Sequence, residues 1–264
     1  MATPIITLTT DFGLRDPYVA EMKAVMLSIC PEITIVDVSH EIEKFNIRMA
    51  AFVLACAAPY FPKGTIHVAV VDPGVGTRRK PIVIQTQNAY YLGPDNGILV
   101  LATRNDKPIR IREITNRRLI MPRISDTFHG RDLFAPMAAH MAKGTRFEET
   151  GKRLNVIVEP SYARVVRRKN AWIGEAIHVD DFGNVITNLE RADFGQLPER
   201  SCLHIRLESR ELKVKLCRTY SDVERNEPLA TFGSHGFLEI SASRGSAAEL
   251  LRIRSGDKLI FRYS

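Results

Sequence analysis

An α/β N-terminal domain with a central, mostly parallel sheet, followed by a smaller all-β domain, is the fold that the sequence predicts. Three observations carry that prediction. The chain opens with a strand, a helix and a second strand, the usual start of a parallel sheet covered by helices. Helical periodicities recur as far as Met141. Beyond Pro160 they give way to short strand candidates set off by Gly, Asn, Asp and Ser turns.

Ile5–Thr10 reads as a strand that runs into the polar turn at Asp11. Pro17, with its fixed φ, can open the stretch Tyr18–Ser28, in which Val19, Met22, Val25 and Met26 recur at helical spacing. Ile33–Val38 is the second strand, Ile47–Ala58 the second helix and Thr65–Val71 the third strand. Pro81–Gln85 and Ala89–Leu92 read as a strand pair, and Asp132–Met141 as a third helix. In the second half the strand candidates are Ala171–Val179, Cys202–Leu207, Lys213–Leu216, Phe237–Ser241, Leu250–Arg252 and Lys258–Phe261. The expected domains are 1–160 and 171–264, with a linker at residues 159–170.

With 264 residues, 45% hydrophobic and 25% charged, the chain can bury a substantial core. Its formal charge of +7 is spread in short clusters such as Arg167–Arg168–Lys169, which reads as solubilising surface and not as a nucleic-acid site. Cys30, Cys56, Cys202 and Cys217 form no close pair, so neither a zinc ribbon nor a disulfide framework is expected. No run is apolar enough for a membrane span, and the first residues lack a basic segment followed by an apolar core. A reducing cytoplasm is the expected setting.

Asp11, Ser39, Asp72 and Asn96 each follow a predicted strand or strand-like run, where open α/β sheets bind small ligands. Asp72 introduces the Gly-rich turn Asp72–Pro73–Gly74–Val75–Gly76 and the pair Arg78–Arg79; it either does chemistry or caps the turn. His129 stands before a helix and either handles protons near neutral pH or serves the backbone there. Asp11 either accepts from ligand hydroxyls or caps its own turn. Phe182 and Tyr220 offer faces for a planar ring and Asn184 an amide for its polar edge, against core packing and turn satisfaction as alternatives. HExxH, phosphate-loop, GxSxG and dinucleotide fingerprints are all absent from the sequence, and no tight Cys/His cluster stands in it. Residue chemistry alone therefore reaches a small-molecule enzyme with an Asp/Arg/His site.

The segments TTDFGLRDPYVAEMK, VDPGVGTRRK, LGPDNG, FHGRDLFAP, DDFGNVITN and SHGFLEI, in that order along nearly the whole chain, resemble the S-adenosyl-L-methionine (SAM) hydroxide adenosyltransferase family. These are adenosine-forming SAM hydrolases, related to the SAM-dependent fluorinase and chlorinase. The resemblance implies a C-terminal domain that is barrel-like, no cofactor, SAM as substrate, and a homotrimer with sites between one subunit's N-domain and its neighbour's C-domain. It implies a water-handling group at Asp72, Arg79 and His129, with Arg78 the alternative arginine, and a ribose-binding carboxylate at Asp11. Phe45 matches a contact near the sugar and sulfonium, and Phe182, Asn184 and Tyr220 match adenine contacts. Ser234 and His235 fall in the methionine-carboxylate region, and Arg244 and Ala247 in a segment that reads the adenine edge. Where the fluorinating relatives carry hydroxyls in the halide pocket, this chain carries Val75 and Gly130. That difference implies water or hydroxide as nucleophile, with halide transfer and a catalytically silent SAM or adenosine sensor as the alternatives.

Overall fold

The structure, a computed structural model, describes residues 3–104, 106–107, 110–169, 171–195, 202–207 and 210–263. It comprises two compact units, Met1–Glu159 and Pro160–Ser264.

The first unit is built on β1 (Ile5–Thr10), β2 (Thr34–Ser39), β3 (Ile66–Val70), β4 (Pro81–Gln85), β5 (Tyr90–Pro94), β6 (Arg110–Ile114) and β7 (Gly151–Leu154), side by side in the order β2-β1-β3-β5-β4-β6-β7. Strands β2, β1, β3 and β5 pair in parallel, and β4, β6 and β7 extend the sheet antiparallel. The C-terminal ends of the parallel strands share one edge, which is where Asp11, Ser39, Asp72 and Asn96 stand.

Helices α1 (Tyr18–Ile29) and α2 (Ile47–Ala57), the short α3 (Val100–Arg104) and α4 (Ala135–Ala142) supply the two covering layers. Met22 and Met26 of α1 and Met137 of α4 pack with Ile6, Leu8 and Val68 on one face. Ala50 and Leu54 of α2 and Leu99 beside α3 pack with Ala69, Val71 and Ile82 on the other. The alternation Val68, Ala69, Val70 thus feeds both cores, as a strand buried on two faces must. Each fully buried side chain of this kind contributes about 1.5–3 kcal/mol. Pro17 stands at the start of α1, and the Asn46 side chain caps α2 by accepting from the Met49 N–H at 3.0 Å.

The second unit contains β8 (Val166–Arg168), β9 (Ala171–Val179), β10 (Val185–Glu190), β11 (Cys202–Leu207), β12 (Arg210–Leu216), β13 (Pro228–Phe232), β14 (Phe237–Ala242) and β15 (Lys258–Tyr263). The order β10-β14-β13-β12-β11-β15-β9 closes through a β9–β10 pairing into a seven-stranded barrel, with β8 added outside β9. Closure removes the sheet's free edges. Trp172, Leu189, Ile205, Leu238, Ile240 and Phe261 fill its core.

Four expectations are corrected. The third helix starts as a π-helical turn at Gly130–Phe134 and becomes α-helical only at Ala135. Pro136 lacks an N–H and its ring crowds the carbonyl four residues back, which the wider π turn relieves. Leu250–Arg252 is not a strand: Ser246 caps the helix Ala247–Leu251, and Arg252 ends it at φ 52°. A second short helix, Arg191–Phe194, also interrupts the half read as all strand, and strands β10 and β13 were not expected. Finally, β8 lies within the stretch read as linker.

Candidate active site

Asp72 follows β3 at the start of a compact turn in which Val75 N donates to Asp72 O and Thr77 N to Gly74 O, both at 3.2 Å. Gly76 is at φ +76°, and a Cβ there would stand 2.6 Å from the Asp126 carbonyl oxygen. Glycine therefore lets the turn lie directly on the segment that leads to His129. Arg79 closes the arrangement. Its Nε donates to Asp72 Oδ1 at 3.0 Å, and its Nη2 donates both to Asp72 Oδ2 and to His129 Nδ1. The Arg79 and Asp72 side chains are only 9% and 6% exposed, and the guanidinium lies over the Phe134 ring, 5.6 Å from its centroid. Arg78, by contrast, is exposed. Arg79 Nη1 is buried and has no hydrogen-bond partner among the described residues.

Because a guanidinium only donates, His129 Nδ1 must accept, and the neutral imidazole carries its proton on Nε2. Burial pushes the His129 pKa below its ordinary 6.5 and the Arg79 charge pushes the same way, against the opposing pull of Asp72, Asp132 and Asp126. His129 stands immediately before the π turn. Buried Asp132 secures that turn: its Oδ2 accepts from Ser125 N at 2.7 Å and its Oδ1 from Arg131 Nε at 2.7 Å.

Asp72 and His129 line a cavity of about 430 Å³, within the range of small-ligand sites. Asp11, Phe45, Val75 and Gly130 line it too. Asp11 is 7% exposed; its Oδ2 accepts from Phe45 N at 2.9 Å and its carbonyl accepts from Lys44 Nζ. Phe45 is held at φ 67° and is 69% exposed, a strained, solvent-facing aromatic of the kind that marks ligand contacts. Phe12, Tyr18 and Phe128 form edge-to-face pairs with centroids 5.3 to 5.9 Å apart and make up an aromatic wall.

Sequence reasoning missed Asp16, Lys44 and Thr127 in this lining. Asp16 and Tyr18 flank the helix-opening Pro17 and read as helix punctuation, and Lys44 reads as surface charge. Ser39 and Asn96 do not line the cavity: Ser39 Oγ accepts from Glu41 N, and Asn96 donates to the Val71 carbonyl at 2.9 Å. Among the described residues no group of three or more His, Cys, Asp and Glu side chains could hold a metal ion.

The remaining candidates lie in the second unit. Asp180 organises the turn after β9, with Oδ1 accepting from Phe182 N at 3.0 Å and Asn184 N at 2.9 Å, and Oδ2 from Asn184 Nδ2 at 2.8 Å. Asn184 thus gives one of its two side-chain N–H groups to the turn, while Phe182 stands 80% exposed. Tyr220, 44% exposed, donates to Glu239 Oε2 at 2.9 Å. Ser234 and His235 occupy the exposed β13–β14 turn, their Oγ and Nδ1 3.3 Å apart. Arg244 is exposed at φ 53°, and Ala247 is fully buried at the start of its helix. Ala248 N donates to the Gly183 carbonyl at 3.0 Å, so that helix start packs on the Phe182–Gly183 turn.

These two halves match two family models, the SAM hydroxide adenosyltransferase N-terminal domain over residues 6–151 and the C-terminal domain over residues 174–260. Proteins named (R)-S-adenosyl-L-methionine hydrolase from Salinispora tropica and Thermus thermophilus are 37% and 39% identical. They align over 97% and 94% of this chain and 97% and 95% of their own lengths. Fluorinases match at 24–26% identity. The crystal structure of an uncharacterized conserved protein from Thermotoga maritima superposes with a TM-score of 0.87 at 39% identity, covering 97% of this chain and 99% of that one. With both domain models matched in order and full-length relatives well above 30% identity, the chain belongs to the SAM hydroxide adenosyltransferase family.

Proposed function

We propose that this protein hydrolyses SAM to adenosine and L-methionine. The observation that carries the reading is the Asp72–Arg79–His129 cluster, two members of which, Asp72 and His129, line a small-ligand cavity. An oxygen of water attacks C5′; the C5′–S bond breaks, its electron pair neutralises the sulfonium, and the attacking oxygen releases a proton. Neutral sulfide is a good leaving group, so orientation of the nucleophile is the main requirement. His129 donates from Nε2 to the nucleophile's oxygen, Asp72 accepts from its O–H, and Arg79 holds the two in register while favouring hydroxide character. Asp11 binds the ribose hydroxyls. The aromatic wall and Phe45 face the sulfonium, a cation that ring faces attract.

Water is the nucleophile in this reading because Val75 and Gly130, which line the cavity with Asp72 and His129, offer a halide no side-chain hydroxyl. Phe182, Asn184 and Tyr220 contact adenine, Ser234 and His235 the methionine carboxylate, and Arg244 and Ala247 the adenine edge. The reaction needs no cofactor. The protein acts as a homotrimer with sites between subunits, a reading that the exposed Phe45 and Phe182 support, and it acts without nucleic-acid partners, in the cytoplasm.

The relatives are named for the R form at sulfur, and that epimer is the substrate proposed here. The test is product analysis after incubation with each sulfonium epimer, in the presence and absence of chloride and fluoride. Adenosine and methionine, formed faster from the R epimer and unaffected by halide, are expected. A 5′-halo-5′-deoxyadenosine product, or binding with no turnover of either epimer, overturns the reading.

A further inference from the structure

We infer that Glu239, on β14, is a positioning residue for substrate binding, acting through the Tyr220 hydroxyl to hold the ring-bearing turns of the second unit in place. The inference rests on the reading of Tyr220 and Phe182 as adenine contacts. Glu239 is 9% exposed, and its Oε2 accepts from Tyr220 Oη at 2.9 Å, so the exposed Tyr220 ring is anchored at its far end to a buried carboxyl. Gly233, just before Ser234 and His235, lies so close that a Cβ there would stand 1.7 Å from Glu239 Oε1. The carboxyl therefore fills the space that a side chain at 233 would take, and it sets how near that turn approaches. Asp180, hub of the turn that displays Phe182, acts electrostatically on both Tyr220 and Glu239.

One buried acid thus reaches two separate turns, each bearing proposed substrate contacts. A buried carboxyl is costly unless bonded, and Tyr220 supplies its partner. Burial, together with the Asp180 charge, raises the Glu239 pKa, which accords with a carboxyl enclosed beside a second acid.

Steady-state kinetics with SAM, calorimetric adenosine binding and melting temperatures of the full-length protein decide the matter. Glu239→Ala is expected to raise the KM for SAM and the Kd for adenosine about tenfold, as loss of one buried bond predicts, with kcat at saturating SAM little changed. Glu239→Gln, whose amide oxygen can accept the same bond, keeps KM near the wild-type value. Tyr220→Phe raises KM, and the double variant Glu239→Ala/Tyr220→Phe is no worse than the poorer single variant. If Glu239→Ala does not fold, Tyr220→Phe and Glu239→Gln carry the same comparison. Wild-type KM in Tyr220→Phe or Glu239→Ala, or equal damage from Glu239→Gln and Glu239→Ala, overturns the inference. Absence of SAM turnover in the wild-type protein overturns the functional reading instead, and adenosine binding then still distinguishes the variants.

Discussion

Arg79 donates to Asp72 and His129 at once, and its substitution should be felt by both. Arg79→Lys keeps the charge but cannot reproduce the planar fork. We expect kcat to fall by about 10²-fold or more while the Kd for SAM, measured by calorimetry, changes little. A larger effect on Kd than on kcat would reassign Arg79 to binding. Burial and the Arg79 charge oppose protonation of His129 and hold its pKa below 6.5. A histidine whose folded pKa is lowered binds fewer protons folded than unfolded, so stability is full above 6.5 and declines as pH falls through the lowered value. The acid limb of kcat should therefore have its midpoint below 6.5, and Arg79→Met should move it upward. A midpoint at or above 6.5 in the wild-type pH profile contradicts this assignment. The sequence marked Asp72 and His129 as candidates because each stands at a short polar connection, and the family resemblance grouped them with Arg79. The choice between Arg78 and Arg79 was not, since adjacent residues differ only in which way the turn points them.

At the scale of elements, the site depends on how closely two connections approach. Gly76→Ala places a Cβ against the Asp126 carbonyl at a left-handed φ, so it should destabilise by about 1–3 kcal/mol and lower kcat by displacing His129 from Asp72. Denaturant unfolding and kinetics check both, and an unchanged kcat would show that the approach of the two loops is not needed. Asn46→Ala removes the cap of α2 beside Phe45 and should cost about 1 kcal/mol, seen as a lower melting temperature. Helices α1 and α2 and the parallel strands were readable from periodicity, because their apolar faces repeat over several turns or alternate. The π turn before α4 was not, because it arises from Pro136 acting on backbone spacing and leaves no pattern of its own. Leu250–Arg252 misled for a related reason: two leucines and an arginine are too short to show a period, and the Ser246 cap starts a helix there instead. Asp16 and Lys44 escaped notice because only the folding of their loops onto the β1 end makes them part of a cavity.

For the whole molecule, the family match joins an α/β unit carrying Asp72, Arg79 and His129 to a barrel unit carrying Phe182, Asn184 and Tyr220. If sites form between subunits of a trimer, Asp72→Asn and Phe182→Ala, each impaired alone, should complement when refolded together. Random mixing should restore roughly a quarter of the sites, and sedimentation should show one trimeric species. No gain on mixing would place each site within one subunit. Attack of water on C5′ of SAM is tested by mass spectrometry of the products formed in ¹⁸O-labelled water. One labelled oxygen, in the adenosine 5′-hydroxyl, is expected together with unlabelled methionine. Unlabelled adenosine, or SAM left intact beside an inactivated control, would contradict it.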